Sequence, residues 1–202
     1  MDLSLNEDQE LIKGSVEKFI FETYDSESRR KTIKNNLGSD DNIWKQFAEL
    51  GWLGLPFLEK DGGFGGDLMD LNIIMEAFGK GLVIEPYVST VILSGSILSM
   101  CSESTIRNKI INNIINGVNK VSFAYAEPNS RFNVSDVSTI AKLENNQWII
   151  NGHKSVVFGA GQADYIIISA RTSGNRYDES GISLFIVESN NPGLEIQDYP
   201  TV

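Results

Sequence analysis

The sequence predicts an α+β protein, with an all-helical domain over residues 1–119 followed by an antiparallel, barrel- or sandwich-like β-domain over residues 120–202. Three observations carry this. Apolar residues recur at helical spacing through the first 120 residues. After Lys120 the period shortens to two. The two patterns follow one another and do not alternate, which separates α+β from a parallel α/β sheet.

The helices follow in order. Residues 6–24, "NEDQELIKGSVEKFIFETY", place Leu11, Val16, Phe19 and Ile20 near one stripe, and Asn6 caps them with acids in the first turn. Residues 40–54 carry Ile43, Phe47 and Leu50 at helical spacing, with Gly51 as a stop. Residues 67–81 repeat the pattern with Leu71, Ile74 and Phe78 and end at Gly79 or Gly81. A fourth stretch, "EPYVSTVILSGSILSMC", has Pro86 in its first turn, where proline is tolerated. Residues 102–118 open on a serine cap and close at Gly117.

The strand-like runs are "VSFAYAEP", "VSTIAKLE", "QWIING", "HKSVVF", "ADYIIISART" and "GISLFIVES", separated by turn residues. In the second, Val137, Thr139, Ala141 and Leu143 alternate with Ser138, Ile140 and Lys142. Asn151-Gly152 reads as a hairpin turn, because both positions tolerate positive φ. His153, the only histidine, then follows directly after the turn. No nucleophile or carboxylate is placed by sequence to make it a base, so no catalytic residue is assigned within the chain.

A formal net charge of −10 disfavours nucleic acid, which rewards clustered Lys and Arg. With one cysteine, Cys101, and one histidine, neither an intrachain disulfide nor a Cys/His zinc site can form, and no metal is expected. Cys101 itself reads as a small apolar residue in a helix. The acidic N-terminus is unlike a signal peptide. The longest apolar stretch, residues 88–101, is too short and too rich in Ser and Gly to span a membrane. A cytoplasmic protein is expected, without membrane insertion. The glycine run "EKDGGFGGDL" lacks both G-x-G-x-x-G and Gly-Lys-Ser/Thr. It reads as an interhelical loop.

Three segments then appear in a meaningful order: "GLPFLEKDGGFGG", "SFAYAEPNSRFNVSDV" and "WIINGHKSVVFGAGQADYIIISAR". In order and spacing they resemble the acyl-CoA dehydrogenase family, across essentially the whole chain. Their variants look most like the small-subunit type described for pimeloyl-CoA dehydrogenase. The second segment is similar to the family's aromatic-x-x-Thr-Glu-Pro-x-x-x-Ser-Asp signature. The third is similar to its Ile-x-Gly-x-Lys-x-Trp-Ile-Thr-Asn segment. The resemblance implies an oxidoreductase of fatty acid metabolism that removes the α-proton and β-hydride of an acyl-CoA thioester, with FAD as hydride acceptor. It implies FAD packed near Phe123, Tyr125, Ala126, Phe132, Val156 and Phe158, and an oligomeric assembly.

Departures accompany these matches. The family threonine before Glu-Pro is Ala126, its Ser-Asp falls on Phe132 and Asn133, and its Trp and Thr fall on Val156 and Phe158. Each lost hydroxyl donor costs about 1–3 kcal/mol at a buried polar ligand, so weak FAD binding by residues 1–202 alone is expected. Nothing in the chain matches the family's C-terminal helical bundle, which carries the catalytic glutamate. Glu127 matches the family's Glu-Pro and is expected to shape the turn before Pro128. Two roles follow: part of a dehydrogenase that does not turn over alone, or a non-catalytic subunit supporting a homologous or full-length dehydrogenase. An acyl-chain binding module is the third.

Overall fold

The computed structural model describes residues 4–34, 38–130 and 132–199. The chain divides into two compact units, Met1–Asn119 and Lys120–Val202.

The first unit is helical. In α1 (Glu7–Thr23) the Asn6 side chain accepts a hydrogen bond from the Gln9 N–H at 2.8 Å, and the Gln9 side chain accepts one from the Asn6 N–H at 3.2 Å. This capping box satisfies two orphan donors. Val16 and Phe19 are buried, but Leu11 is 71% exposed, departing from the expected stripe. Leu11 lies about 140° around the helix from Val16, too far to share its face.

The next helix, α2 (Ser26–Lys34), was not legible. Ile33 is its only strong hydrophobe, so it has no apolar period to read. Asp40 caps α3 (Asp41–Glu49), whose Trp44 and Phe47 are buried, while Leu50 beyond its end is largely exposed. An Asp67–Asp70 capping box opens α4 (Leu68–Gly81). A seven-residue π-helix, Val88–Ser94, runs directly into α5 (Gly95–Met100). Cys101 caps α5 and is exposed, which corrects its expected place inside a helix. Ser104 caps α6 (Thr105–Ile115), and Gly117 leaves it at φ +68°.

The core of this unit is an aromatic cluster. Phe47 stacks on Phe78 at 4.8 Å between centroids, with Trp52, Phe19 and Trp44 tilted or edge-on around it. The glycine run after it is an interhelical loop. A Cβ on Gly63 would lie 2.2 Å from the Phe57 carbonyl, so the backbone closes there only without a side chain. The buried Arg107 guanidinium anchors the same loop through both oxygens of Asp61 and donates from Nε to the Leu98 carbonyl at 3.0 Å.

The second unit holds five strands among its described residues: β1 (Val121–Ala124), β2 (Ile140–Glu144), β3 (Gln147–Asn151), β4 (Tyr165–Arg171) and β5 (Ile182–Glu188). The sheet runs β1-β4-β2-β3, with β5 also on β4. Strand β4 pairs parallel with β1, from Val121↔Tyr165 to Ala124↔Ile168, and antiparallel with β5, from Tyr165↔Glu188 to Arg171↔Ile182. It touches β2 at Ile140↔Arg171, also in parallel. The sheet is therefore mixed, where an antiparallel one was expected, and no closed barrel forms among the described residues. The reason is the long connection between β1 and β4, which lets the chain re-enter in the same direction.

The hairpin lies at a different place from the one expected. Strands β2 and β3 join through Asn145 and Asn146, at φ +49° and +63°, as a type I′ turn requires. Asn151 ends β3, Gly152 is not left-handed, and residues 152–158 form no strand. The glycine has another reason to be there: a Cβ on Gly152 would lie 2.3 Å from Thr139 Oγ1 and 2.6 Å from Thr139 Cα. The alternation from Val137 holds through Thr139 and Ala141, all buried, and fails at the exposed Leu143 next to the turn.

Gly152→Ala is expected to destabilise the second unit by about 1–3 kcal/mol, the scale of overpacking. Gly14→Ala is the control, since a Cβ there meets nothing within 4 Å and alanine improves a helix by about 0.5–1 kcal/mol. Chemical denaturation of both variants measures this, and a Gly152→Ala protein as stable as wild type refutes it. Among the described residues no helix is long and apolar enough to cross a membrane, and no three His, Cys, Asp or Glu side chains converge as metal ligands.

Candidate functional site

Strand β1 ends at Ala124, and the chain turns four residues later at Pro128, which has no N–H to donate to a ladder. The turn closes on itself. The Ser130 N–H and hydroxyl donate to the Glu127 carbonyl at 3.1 and 3.0 Å, and the Glu127 N–H donates to Ser130 Oγ at 3.0 Å.

The Glu127 side chain points inward and is almost fully buried. Its carboxylate accepts from the Ser138 N–H at 2.8 Å, from the Ser138 hydroxyl, and from the Thr139 N–H at 3.0 Å. Lys154 Nζ donates the fourth bond at 2.8 Å. The ammonium spends its other protons on Ser169 Oγ at 3.0 Å and on the Tyr125 carbonyl at 3.4 Å. Burial pushes the Glu127 pKa up, but the Lys154, Ser138 and Thr139 donors outweigh it and hold the carboxyl at about 2. Burial pulls the Lys154 ammonium below the ordinary lysine value, with Glu127 opposing.

The segment carrying Lys154 is laced to the end of β1. The Ser155 N–H donates to the Ala126 carbonyl at 2.9 Å, and Ser122 Oγ donates to the Phe158 carbonyl at 2.8 Å. Between these ties Val156 stands at φ +54°. A β-branched residue in the left-handed region is an outlier and stores strain.

The structure thus brings five of the six expected residues to two adjoining segments. Phe123 and Tyr125 lie ring to ring at 5.2 Å, with Ala126 next in the chain and Val156 and Phe158 exposed on the laced segment. Phe132 does not join them by any ring contact; it is fully exposed in the turn that follows Pro128. His153 is exposed and has no carboxylate partner among the described residues.

This surface suits a flat ring with a polar edge, such as a flavin. It offers aromatic and aliphatic area, and the N–H groups of Val156 and Phe158 have no hydrogen-bond partner among the described residues. Ala126 and Phe158 contribute no hydroxyl, so any donor there is main chain. Lys154 and its acceptors Glu127 and Ser169 were missed as a unit. The sequence around Lys154, Asn-Gly-His-Lys-Ser, is polar and carries no local signal that the lysine is buried.

Comparison with known proteins gives a consistent picture. The family description "Acyl-CoA dehydrogenase, N-terminal domain" matches residues 6–117, and "Acyl-CoA dehydrogenase, middle domain" matches residues 122–202. A short-chain-specific acyl-CoA dehydrogenase of Clostridium acetobutylicum is 27% identical over 97% of this chain and 52% of that protein. Among solved structures, the FAD complex of PigA superposes with a TM-score of 0.85 at 23% identity, over 98% of this chain and 52% of the other. The ChsE4-ChsE5 complex from Mycobacterium tuberculosis superposes at 0.80 and 22% identity, over 94% and 49%. The two structures, at these identities, speak for the fold alone. The chain spans about half the length of these relatives.

Proposed function

Because the chain belongs to the acyl-CoA dehydrogenase family, we propose that residues 1–202 supply the acyl-facing helices and the flavin-facing β-unit of a dehydrogenase acting on an acyl-CoA thioester. The observation that carries this is the meeting of residues 123–126 with residues 156–158 on one surface, inside the segment matched by the family's middle domain. FAD, when bound, would supply the hydride acceptor. Tyr125, Val156 and Phe158 would pack against it and keep water off that face. The Val156 and Phe158 N–H groups would be the main-chain donors available to its polar edge. No residue among 1–202 is assigned the α-proton, so these residues are expected to show no turnover alone with acyl-CoA panels, added FAD and an artificial electron acceptor. Substrate-dependent turnover by them would refute that.

The placement is tested by calorimetric titration of FAD. Two restored hydroxyl donors contribute about 1 kcal/mol each, so Ala126→Thr with Phe158→Thr is expected to tighten FAD roughly thirtyfold. No gain in a folded double variant removes the flavin from this surface. His153 lies outside the laced contacts, and His153→Gln in the complete protein is expected to keep its rate within a few-fold. A loss of about a thousandfold, the scale of a missing acid–base catalyst, would overturn this.

The missing hydroxyls at 126 and 158 also favour a second reading, in which the chain supports a homologous dehydrogenase subunit and holds little flavin. Flavin copurifying with the chain argues against it.

A further inference from the structure

The Glu127–Lys154 ion pair is almost entirely buried beside the surface just described and meets it through the Tyr125 carbonyl, which accepts from the ammonium at 3.4 Å. Its side chains are 2% and 8% exposed. A pair so deep is weak evidence of stabilisation by itself, because desolvation cancels most of the attraction. Its placement gives it another use. Glu127 follows Ala126 in the chain, and Lys154 precedes Val156 by two residues. Glu127 also grips the Ser138 and Thr139 N–H groups, and Lys154 grips Ser169 of β4 and the Tyr125 carbonyl. The pair therefore joins four stretches of backbone at one point, and the strained Val156 lies next to that point. Strain of this kind persists only where the surroundings over-determine it.

We propose that Glu127 and Lys154 are a positioning pair, which holds Val156 left-handed and keeps residues 155–158 in register with residues 122–126 as the flavin-facing surface. The proposal rests on the flavin-facing reading of that surface. Without the ammonium, the segment keeps the Ser155–Ala126 and Ser122–Phe158 hydrogen bonds and the packing of Val157 on the Ala124–Ile166–Ile168 cluster, none of which acts on Val156 itself. Val156 then relaxes toward extended backbone, and its N–H leaves the surface.

The test uses residues 1–202 with Lys154→Met, Glu127→Gln and the two combined. The combined variant removes both charges at similar volume, and so keeps the unit folded if a single charge left buried unfolds it. Nuclear magnetic resonance reads the Val156 Cα and Cβ shifts and the exchange of the Ser155 amide. Expected are Val156 shifts moving to extended values and Ser155 exchange rising tenfold or more, while the β4 and β5 amides stay within threefold. Unchanged Val156 shifts, or a rise spread evenly over the sheet, would overturn the positioning role. These readings need no flavin. FAD affinity is then compared in the Ala126→Thr, Phe158→Thr background, with a tenfold loss expected on adding Lys154→Met. A Phe158→Asp variant of the wild-type sequence checks the underlying reading. If FAD binding ignores it, the surface is not the flavin's, and the reading falls separately from the behaviour of Val156.

Discussion

Phe47→Ala is expected to cost the helical unit about 3–5 kcal/mol, which is the range for truncating a buried phenylalanine. Phe47 is fully buried and stacks on Phe78, with three further rings within 6.3 Å of its centroid. Truncation removes the buried apolar surface and also the edge and stacking contacts, each worth about 0.5–1.5 kcal/mol beyond area. The surrounding side chains are large and come from α1, α3, α4 and the segment after α3, so they cannot collapse into the space together. The comparison is Phe21→Ala, about 200° around α1 from the buried Phe19, where the ring is 91% exposed. That change is expected to stay within about 0.5 kcal/mol. Guanidinium unfolding followed by tryptophan fluorescence measures both. Equal effects at the two positions would mean the aromatic cluster does not carry the stability assigned to it.

The second large effect is a pH dependence in the β-unit. The Glu127 carboxyl is held at about 2 in the folded chain, against about 4.3 when unfolded. A depressed carboxyl contributes stability that is present above the unfolded value and lost as pH falls through the folded one. A shift of this size is worth about 3 kcal/mol, reduced to about 2 kcal/mol by screening. Glu127→Gln is therefore expected to be less stable than wild type at pH 6 by about 2 kcal/mol. The gap should close as pH falls from about 4.5 toward 2, because the wild-type carboxyl then becomes neutral as well. Asp136, Arg176 and the other ionised groups are common to both proteins and cancel in the difference. Denaturation at pH 6, 4 and 2.5 measures the gap, and a gap constant across that range would show that the ionised carboxylate is not what stabilises the turn.

The helices capped by side chains could be read from sequence because their signals are local. Asn6 with Gln9, Asp67 with Asp70, and Ser104 each place a polar side chain within four residues of the N–H it satisfies. The α+β class came from the same kind of information, a period that changes once along the chain. What escaped was non-local. Helix α2 has no apolar stripe. Asn-Gly at 151–152 carries the strongest hairpin chemistry in the chain, yet the hairpin sits at Asn145-Asn146, because strand pairing chose the register. Gly152 answers to Thr139, a residue thirteen positions earlier that only the fold brings near. The parallel pairing of β1 with β4 is likewise invisible in either strand alone. At the site, the resemblance marked Phe123, Tyr125, Ala126, Val156 and Phe158, and the fold brings their two segments together. Phe132 was marked by motif alignment alone, and nothing in the alternation of its segment signalled that its ring would lie in open solvent.

Strand β4 has consequences during synthesis. Strand β1 gains its parallel partner only when residues 165–168 exist, about 40 residues after β1 itself. At about 5–20 residues per second the ribosome needs roughly 2–9 s to make them. Until then the Val121–Ala124 backbone has no ladder to join, and the β2–β3 hairpin, closed by its own turn, has no β4 end to meet at Ile140. The helical unit is made entirely before this interval begins. Synthesis that stops between the codons for Tyr125 and Tyr165 therefore leaves Val121–Ala124 without its β4 partner, an open strand edge of the kind that recruits other chains. The exit of β4 closes that period of exposure.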